Sequence, residues 1–423
     1  MSDKTARILR QLDRSLVGRG DQIETWFLER FAATPAPVYT SVDLRHSGLK
    51  LAPVDTNLFP AGLQNLNPSG RRRAAMAMRG YLASRHPGAT RLLLVPEDHS
   101  RNVPYFDNLD ALSGMLKEAG AEVRLGGLRE DFREPMVLSP SSGRELVVEP
   151  LERRGDRLAT ADGFVPDVIV LNNDLSTGVP APLQGLVQPV TPPPELGWYR
   201  RRKSAHFAAY DGVARPFAEE LGLDPWLITT YWHRCGEINF RERVGLECVA
   251  RGVDEVIAMT HTKYREHGVE SEPYAFVKAD SGTYGMGIMT VRSGEEVMTM
   301  NKRRRHSMQA TKGGVPIAEV VIQEGVPTVD LIDGAPAEPV VYLIGGKPVG
   351  GFYRLHHARG EYDSLNAVGA DFAGMCEEVE PSLEPGTDTG GAACNFRVFG
   401  TLARLAALAA AREVALRAEP AAA

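Results

Sequence analysis

The sequence predicts an α/β fold with two domains, and three observations support this. Segments rich in β-branched and aliphatic residues alternate with helical patterns over residues 36–180, which is typical of an open α/β sheet. A proline-rich stretch without periodicity, at 178–197, separates this part from the rest of the chain. The 423 residues, of which 43% are apolar, can build two or three hydrophobic cores. We therefore predict a first domain over 1–190 and a second over 191–423.

The first domain begins with helices and continues with alternating elements. Apolar residues between Thr5 and Ala33 recur at mostly helical spacing with an interruption near Gly18, so a pair of helices is predicted there. The strand-like runs are VYTSVDLR (38–45), RLLLVP (91–96), EVRLG (122–126), ELVVEPL (145–151) and DVIVLNND (167–174). Helical patterns lie between them at 70–85 and 107–119.

The second domain has a different order of elements. A helical region at 198–222 is followed by mixed structure to 270, and we assign a subdomain to about 250–325. The further elements are a glycine-rich hairpin near 280, a helix at about 294–308, strands at 319–324, 338–345 and 348–356, and an alanine-rich terminal helix.

Composition argues against several classes of protein. A net charge of -6 and a pI near 6.0 disfavour a nucleic-acid binder, since short basic runs such as 71–73, 200–203 and 302–305 are usually solvated faces. The N-terminus lacks the apolar segment of a secretory signal, and we find no run of ~18 apolar residues that would span a bilayer. Four scattered cysteines without a C-x-x-C pair are typical of reduced thiols in a cytoplasm.

The stretch AFVKADSGTYGMGIMTV, at 275–291, indicates a candidate anion site. Two apolar strand-like segments flank a loop that contains Gly282, Gly285 and Gly287, and Lys278 lies on the incoming segment. Glycines let backbone N–H groups approach an anion, and a lysine adds a positive charge. The pattern matches neither a P-loop nor a dinucleotide fingerprint. We predict a hairpin that covers phosphates, and an ordinary β-hairpin is an equally good interpretation of this loop alone.

The second half places chemically useful residues in a definite order. They are Lys203 at the start of a helix, Lys278 before the glycine loop, Gln323 and Glu324 at a strand end, Arg354 on a hairpin, and then Asp363 and Asn366. From Trp198 to Ala370 this order resembles the ATP-grasp carboxylate–amine ligases. The resemblance implies an ATP-grasp fold with an N-terminal open α/β domain of the pre-ATP-grasp type.

Five segments narrow the resemblance. They are SVDLRHSGLKLAPVDTNLFPAGLQNLNP (41–68), VPEDHSRN (95–102), GWYRRRKSAHF (197–207), FVKADSGTYGMGIMTV (276–291) and EPVVYLIGGKPVGGFYRLH (338–356). Together they are similar to the proteobacterial ATP-grasp type of glutamate–cysteine ligase, from near residue 40 to near residue 410. The resemblance implies ATP- and Mg²⁺-dependent ligation of L-glutamate to L-cysteine through an acyl phosphate, the first step of glutathione biosynthesis.

The resemblance implies roles for residues of the nucleotide site. Lys203 and Lys278 would contact the α- and β-phosphates, and the glycine loop the β- and γ-phosphates. Gln323, Glu324 and Val326 would meet the adenosine end. Arg354 would stabilise charge on the transferring phosphoryl group, as such chemistry depends on positioning and electrostatics. Each charged residue has a structural alternative: a helix-surface charge for Lys203, an ion pair at a hinge for Glu324, and an ion pair across the hairpin for Arg354.

The metal site departs from the family pattern. ATP-grasp enzymes usually hold Mg²⁺ with an Asp and an E-x-N triplet, since Mg²⁺ prefers oxygen ligands. No E-x-N follows Asn366 in this sequence. The best remaining oxygen pair is Asp363 with Asn366, and a plain turn explains YDSLNAVG equally well.

Polar residues after two predicted strands indicate an amino-acid site. Arg45, Lys50, Asp55 and Asn57 lie at or just beyond the first strand end, and Arg101 and Asn102 follow the second. Ligands of open α/β sheets gather at the carboxyl ends of strands, and an amino acid needs both cations and an anion. A polar loop that satisfies its own turn is the alternative.

Other functions remain open at the level of sequence. An ATP-grasp ligase could join another carboxylate and amine, because specificity depends on loops read only by resemblance. A nucleotide-binding regulator without catalysis is a second alternative, favoured by the missing E-x-N. We expect glutamate, cysteine and ATP as small-molecule partners, no nucleic acid, no membrane and a cytoplasmic location, and the sequence leaves a homo-oligomer open.

Overall fold

The fold is seen in a computed structural model of the chain. The structure describes residues 7–98, 101–129, 131–282, 287–309, 314, 316–376 and 395–418. The helices are α1 (Arg7–Gly18), α2 (Gly20–Ala33), α3 (Pro68–Arg85), α4 (Val103–Glu118), α5 (Lys203–Glu220), α6 (Leu246–His267), α7 (Gly294–Met298), α8 (Lys302–Ser307) and α9 (Phe396–Ala418). The α/β prediction is therefore confirmed.

The strands form three sheets. They are β1 (Tyr39–His46), β2 (Leu51–Asn57), β3 (Arg91–Pro96), β4 (Glu122–Gly127), β5 (Met136–Leu138), β6 (Leu146–Arg154), β7 (Arg157–Thr160), β8 (Val168–Asn172), β9 (Val190–Thr191), β10 (Trp232–Cys235), β11 (Ala275–Ala279), β12 (Ile288–Val291), β13 (Val320–Glu324), β14 (Leu331–Ile332), β15 (Ala335–Ile344), β16 (Lys347–Leu355) and β17 (Asp371–Gly374). We call them the parallel sheet (β5-β6-β4-β3-β8-β9, with β7 on β6), the central sheet (β17-β16-β15-β1-β2, with β14 on β15) and the hairpin sheet (β10-β13-β11-β12).

The parallel sheet agrees with the alternation of strands and helices in the first half. Strand β3 pairs in parallel with both β4 and β8, and α4 connects β3 to β4. Apolar side chains of α3 and α4 pack on one face and share a core with the central sheet. The sequence-predicted strands at 91–96, 122–126, 145–151 and 167–174 all lie in this sheet.

The strand predicted at 38–45 belongs to a different sheet. Strand β1 pairs antiparallel with β15, with Tyr39 opposite Ile344, and with β2 on its other side. The expectation that this strand belongs to the open α/β sheet of residues 36–180 was therefore wrong. Because the partner strand is almost 300 residues away, no local pattern could indicate the pairing.

Strand β2 was not among the predicted strands, and its polar residues were expected at or just beyond the end of the first strand. Its sequence, LAPVDTN, contains Pro53, which removes a ladder hydrogen-bond donor and weakens a strand prediction. Strand β2 lies at the edge of the central sheet, where a proline is tolerated. The polar residues of 43–57 thus line a hairpin, and this geometry brings them against the second half of the chain.

Both faces of the central sheet are covered. Val341 and Leu343 of β15 pack with helices α1, α5 and α9, whereas Val340 and Tyr342 pack with α3 and α4. A strand buried on both faces reads as a continuous apolar run, and β15 follows that rule from Pro339 onward. Glu338, at the edge of that run, is a buried exception with 3% exposure.

The hairpin sheet packs against helix α6. The predicted glycine hairpin is confirmed, since β11 and β12 pair antiparallel with Ala275 opposite Val291. Strand β13 lies on the other side of β11. The 22-residue helix α6 covers the sheet with Val249, Val253 and Val256, although this region was predicted only as mixed structure.

The cysteines do not follow the sequence expectation of reduced thiols. Cys235 at the end of β10 and Cys248 in the first turn of α6 form a disulfide, with Cα atoms 6.2 Å apart. Cys376 is also disulfide-bonded. A search of the described helices found none with the length and hydropathy of a membrane-spanning segment.

Candidate active site

Lys203 and Lys278 line one cavity. This cavity, which we call the lysine cavity, has a volume of about 50 Å³ and lies where α5, the β1–β2 hairpin, the hairpin sheet and β15 meet. Its described lining residues are Asp43, Arg45, Val54, Asp55, Lys203, Phe276, Lys278, Ala279, Gly282, Ile288, Glu338, Ser364 and Asn366. Two cations that are 75 positions apart in sequence therefore face the same space.

Lys203 is held by a carboxylate of strand β2. Its Nζ donates to Oδ1 of Asp55 at 2.7 Å, and the lysine side chain is only 9% exposed. Burial alone would raise the pKa of Asp55, but Lys203 and Lys278 outweigh that effect and lower the pKa to about 2. Asp55 is therefore ionised across the physiological range and balances part of the lysine charge.

Lys278 points into the cavity from strand β11. Its Nζ donates to Oε1 of Gln323 at 2.7 Å and to the backbone carbonyl of Val54 at 3.2 Å. Burial and the neighbouring Lys203 lower its pKa to about 8, although Asp55 acts in the opposite direction. An ammonium with this pKa gains stability from any anion that enters the cavity.

Asp280 connects the segments that carry the two lysines. Its backbone carbonyl accepts from Lys203 N at 2.7 Å, and its carboxylate accepts from the N–H and the hydroxyl of Ser204 at 2.7 and 2.6 Å. The carboxylate thus satisfies N–H donors at the first turn of α5, where negative charge is favoured. Asp280 lies two residues after Lys278, so this contact sets the position of both lysines.

The glycine loop approaches the cavity through Gly282. Gly282 lines the lysine cavity and has a φ of +104°, which L side chains rarely adopt. Gly287, with φ +63°, would bring an added Cβ within 2.5 Å of Ile317. Both positions therefore require glycine. Gly285 lies outside the described residues.

A cluster of two arginines and two carboxylates forms another wall. Arg354 donates to Asp43 at 2.6 Å and to Glu338 at 2.7 Å, and Arg45 donates to Glu338 at 2.6 Å. Burial raises the pKa of Asp43, helped by Glu338 and opposed by Arg354. For Glu338, burial acts in the same direction, but Arg45 and Arg354 outweigh it and lower the pKa. Both carboxylates raise the pKa of Arg354 despite its burial.

A larger cavity adjoins the lysine cavity. It has a volume of about 310 Å³ and shares Asp43, Asp55 and Asn366 with the lysine cavity. Strands β1 and β2, the start of α4 and the segment after β8 contribute to its walls. Its further polar lining residues are Ser41, Asn57, Gln64, Asn65, Glu97, Asn102, Tyr105, Asn172, Asp174 and Arg354.

The predicted substrate residues divide between several places. Asn57 and Asn102 line the large cavity, and their side chains also accept backbone N–H bonds in an Asx turn and at the N-cap of α4. Arg45 lines the lysine cavity, and its guanidinium donates hydrogen bonds to Glu338 and to the backbone carbonyls of residues 361 and 363. Arg101 is exposed and is not among the residues that line either cavity.

Lys50 and Glu324 form a buried pair with each other. Lys50 Nζ lies 2.7 Å from Glu324 Oε1 and 4.1 Å from the centroid of the Trp226 ring. The Glu324 carboxylate also accepts from Trp226 Nε1 at 3.0 Å and from the backbone N–H of Tyr231 at 2.9 Å. Burial lowers the pKa of Lys50 to about 8, against the effect of Glu324. Glu324 was predicted to contact adenosine, with an ion pair to a neighbouring cation as the structural alternative. The contact with Lys50 is such an ion pair.

The other predicted adenosine residues are also buried. Gln323 bridges Lys278 and Thr230, accepting from the lysine and donating to the hydroxyl at 3.1 Å. Gln323 is 0% exposed and Val326 is 1% exposed, and neither is among the described lining residues of the lysine cavity or the larger cavity. Contacts of these residues with adenosine stay a prediction.

The predicted metal residues differ in their surroundings. Asn366 lines both cavities, whereas the Asp363 carboxylate accepts from the backbone N–H of Gly360 at 2.9 Å in a turn. Asp363 does not line either cavity, so Mg²⁺ binding by this residue stays a prediction. The described carboxylates that do line the lysine cavity are Asp43, Asp55 and Glu338.

Sequence reasoning did not select three buried charged residues that organise this region. Asp280 and Glu338 lie in or next to apolar strands, where an acid is unusual and signals a specific partner. Arg201 belongs to a basic run that was read as a solvated face. It is 1% exposed and pairs with Glu413 of α9 at 3.0 Å.

Comparisons with known proteins show what the chain is similar to. The model of the glutamate–cysteine ligase family matches residues 13–414. The crystal structure of a provisionally assigned gamma-glutamylcysteine synthetase from Methylobacillus flagellatus KT is similar, with 41% sequence identity and a TM-score of 0.89. The similarity covers 99% of this chain and 98% of that chain.

Two solved structures are more distant. A glutathione synthetase-like effector from Globodera pallida has 11% identity and a TM-score of 0.40, over 85% of this chain and 84% of that chain. D-alanyl-alanine synthetase A from Vibrio cholerae O1 biovar eltor has 12% identity and a TM-score of 0.30, over 67% and 73%. These scores are too low to support an inference. A comparison with the curated proteins gave no match.

Proposed function

The chain belongs to the glutamate–cysteine ligase family, and we propose that it forms γ-glutamylcysteine from L-glutamate, L-cysteine and ATP at the two adjoining cavities. One observation carries this assignment of the site. Lys203 and Lys278, predicted to contact phosphates, face the same cavity, and that cavity shares walls with a second cavity large enough for amino acids.

The chemistry of the reaction explains the need for such a site. A carboxylate is a poor electrophile, so the γ-carboxylate of glutamate first attacks the γ-phosphate of ATP, giving an acyl phosphate and ADP. The neutral amine of cysteine then attacks the acyl carbon, phosphate leaves, and the amine proton passes to a base. Most of the catalysis is positioning and charge stabilisation, which lysines and an arginine provide.

The ATP-grasp mode of nucleotide binding is part of this proposal. Lys278 on β11, the adjoining Gly282 and Lys203 at the start of α5 surround the lysine cavity, which suits a polyphosphate. A volume of about 50 Å³ is well below the ~300–1,000 Å³ of typical ligand sites. We therefore expect the lysine cavity to widen when the nucleotide binds.

The carboxylates of the lysine cavity suit a magnesium ion. Mg²⁺ prefers oxygen ligands, and Asp43, Asp55 and Glu338 bring carboxylate oxygens to the walls of the cavity that holds the two lysines. Lys203, Arg45 and Arg354 hold these carboxylates in this structure. Mg²⁺ that enters with the nucleotide would therefore bind the carboxylate oxygens that these cations release, with Asn366 as a further oxygen donor. When bound, the ion neutralises charge on the phosphates during transfer.

The large cavity has the charges that two amino acids need. Among its described lining residues are the carboxylates of Glu97 and Asp174, which suit substrate ammonium groups. Arg354 lines the same cavity and suits a carboxylate. Arg354 also contacts Asp43 and Glu338 of the lysine cavity, so it lies where the γ-carboxylate and the γ-phosphate would meet.

A substrate-omission assay tests the proposal. Purified protein with ATP, Mg²⁺, glutamate and cysteine is expected to release ADP and phosphate and to form a dipeptide with a γ-linkage, identified by mass spectrometry and NMR. Omission of either amino acid is expected to abolish the dipeptide. Turnover that occurs only with another carboxylate or amine would overturn the substrate assignment.

We expect the reaction to occur in the cytoplasm, where ATP is supplied.

A further inference from the structure

Three potential metal ligands meet on the side of the hairpin sheet that helix α6 covers. A ring nitrogen of His233 and the sulfurs of Cys235 and Cys248 all lie within 4.8 Å of one another. His233 and Cys235 are two positions apart on β10, so their side chains share one face of the strand. Arg234, between them, points to the other face, where its guanidinium lies 3.3 Å from Asp280.

We propose that His233, Cys235 and Cys248 bind Zn²⁺ or a similar thiophilic cation when the Cys235–Cys248 disulfide is reduced. Two thiolates and an imidazole are typical zinc ligands, with Zn–S near ~2.3 Å and Zn–N near ~2.0 Å. Ligand atoms within 4.8 Å of one another are compatible with a single tetrahedral ion. The site is partly exposed at His233 and Cys248, so water completes the coordination.

The surroundings of His233 support a metal site. Its Nδ1 lies 3.3 Å from the Glu255 carboxylate, two turns after Cys248 on helix α6. A carboxylate beside the ring of a metal-binding histidine helps to orient the ring and raises the basicity of the ligating nitrogen. Gly252 of the same helix leaves space for the ring, since an added Cβ would come within 2.8 Å of His233 Cδ2.

A second cluster in the described residues lacks these properties. Asp224, Glu266 and His267 also lie within 4.8 Å of one another. The ammonium of Lys263 lies 2.9 Å from Asp224 and 2.8 Å from Glu266, so a cation already neutralises both carboxylates. A metal ion there would have to displace this lysine.

A low-molecular-weight thiol reduces the disulfide in two exchange steps. The thiolate attacks the partly exposed Sγ of Cys248, which breaks the protein S–S bond and releases Cys235 as a thiolate. A second thiolate attacks the mixed disulfide, which releases Cys248 and forms the disulfide of the reductant. Two electrons pass to the protein from two thiols, and the protons of those thiols go to solvent when both cysteines bind the metal as thiolates.

The site is connected to the nucleotide region through strand β10. This strand pairs with β13, and Trp232 lies opposite Gln323, whose amide oxygen accepts from Lys278. A metal ion would tether β10 to α6, as the disulfide does. The site therefore fixes one edge of the sheet that carries Lys278, in either redox state.

Cobalt binding tests the proposal on the full chain. Cys376→Ser and Cys394→Ser leave Cys235 and Cys248 as the remaining cysteines. This chain is reduced with a phosphine without oxygen and titrated with Co²⁺. We expect one equivalent to bind with a sulfur-to-cobalt charge-transfer band and the visible spectrum of tetrahedral Co²⁺, and Zn²⁺ to displace it. No binding to the reduced chain would overturn the proposal.

Variants separate this site from incidental binding. Cys248→Ser is expected to remove most of the charge-transfer band, and Glu255→Gln to weaken affinity by about 10–100-fold, as second-shell changes do. Glu255 is half exposed, so this change does not threaten folding. His261→Gln, on an exposed position of the same helix, is the matched control and is expected to have no effect. If neither Glu255→Gln nor Cys248→Ser changes the Co²⁺ affinity of the reduced chain, the assignment is contradicted.

Discussion

Asp280 accepts hydrogen bonds from both the backbone N–H and the hydroxyl of Ser204, at 2.7 and 2.6 Å, although 76 residues separate the two in sequence. Each residue adjoins one of the lysines of the lysine cavity: Ser204 follows Lys203, and Asp280 lies two residues after Lys278. The pair is fully or nearly fully buried. One carboxylate therefore sets how close the two ammonium groups lie.

We expect Asp280→Ala to weaken ATP binding, although Asp280 does not itself line the cavity. Loss of the carboxylate removes a helix N-terminal contact that typically contributes ~0.5–2 kcal/mol and frees the start of α5. Displacement of Lys203 by about 1 Å would be enough to lower kcat/KM up to ~100-fold. Calorimetry with ADP and steady-state kinetics measure the two effects.

Asp254→Ala is the control for that experiment. Asp254 accepts from the backbone N–H of Gly294, the first residue of the short helix α7, at 2.7 Å, and neither residue is among the described lining residues of the two cavities. It therefore resembles Asp280 as a helix-terminal acceptor without adjoining a lysine. Equal losses of ADP affinity in the two variants would show that the effect is general destabilisation.

Lys278 makes nucleotide affinity depend on pH. Its pKa of about 8 lies below the ordinary value because burial disfavours the ammonium. As pH rises through 8 the free protein loses this charge, so we expect the Kd for ATP to increase above pH 8. Full loss of one charged contact, worth ~1.5–3 kcal/mol, corresponds to about 10–100-fold in affinity.

Two variants check the origin of this pH dependence. Lys278→Arg keeps its charge at every pH used, so its ATP affinity is expected to be flat between pH 7 and 9. Lys347→Ala, at an exposed position, is expected to retain the wild-type profile. A profile that persists in Lys278→Arg would assign the titration to another group.

The elements that were predicted correctly have local signals. The hairpin of β11 and β12 needs only two apolar strand segments and the intervening glycines, and the structure pairs these segments in register. The parallel strands and helices α3 and α4 likewise follow from periodicity within short windows. The glycine loop indicated Lys278, whereas Lys203 came from the family resemblance, and the shared cavity shows only that the two side chains face the same space.

The remaining features depend on partners distant in sequence. Strand β1 is completed by β15, and Arg201 is neutralised by Glu413, which lies 212 residues away. Lys50 was expected to bind an amino-acid substrate and Glu324 to bind adenosine. The two residues, which are 274 positions apart in sequence, instead form an ion pair with each other and are buried. A residue type gives the charge that must be balanced, but the fold decides whether a substrate or a protein group balances it.

Arg354 is expected to act mainly on turnover. Its guanidinium bridges Asp43 and Glu338 between the two cavities, where the proposed acyl phosphate forms. Arg354→Ala removes one charge-stabilising donor, so kcat is expected to fall about 100–1,000-fold with a smaller change in KM. Steady-state kinetics with each substrate varied in turn distinguish the effects.

The exposed Arg359 provides a matched control for Arg354. Arg359→Ala removes the same side chain five residues away and is expected to keep wild-type kcat. Thermal unfolding of Arg354→Ala with and without ADP shows whether the nucleotide still stabilises the variant. A large increase in KM with an unchanged kcat would make Arg354 a ground-state contact.

We expect the free energy of unfolding to depend strongly on Glu413, the one carboxylate of helix α9. It accepts from Arg201 at 3.0 and 3.1 Å and lies 2.5 Å from Nδ1 of His206, and its side chain is 3% exposed. Glu413→Gln leaves the Arg201 charge buried without its counter-ion, so we expect a loss of about 3–5 kcal/mol in unfolding free energy. Urea unfolding measures it.

The pH dependence of stability gives a second test of Glu413. Burial would raise its pKa, but Arg201 and His206 lower it to about 2, below the unfolded value of 4.5. A lowered pKa in the folded protein means that the stabilisation is complete above about pH 4.5 and is lost as pH falls toward 2. Glu413→Gln should therefore flatten the wild-type curve of stability against pH in this range.

Asp13→Asn, which breaks the exposed pair with Arg397, is the control for Glu413→Gln and is expected to lower the free energy of unfolding by at most ~1 kcal/mol. A comparable loss in both variants would contradict the buried-pair interpretation.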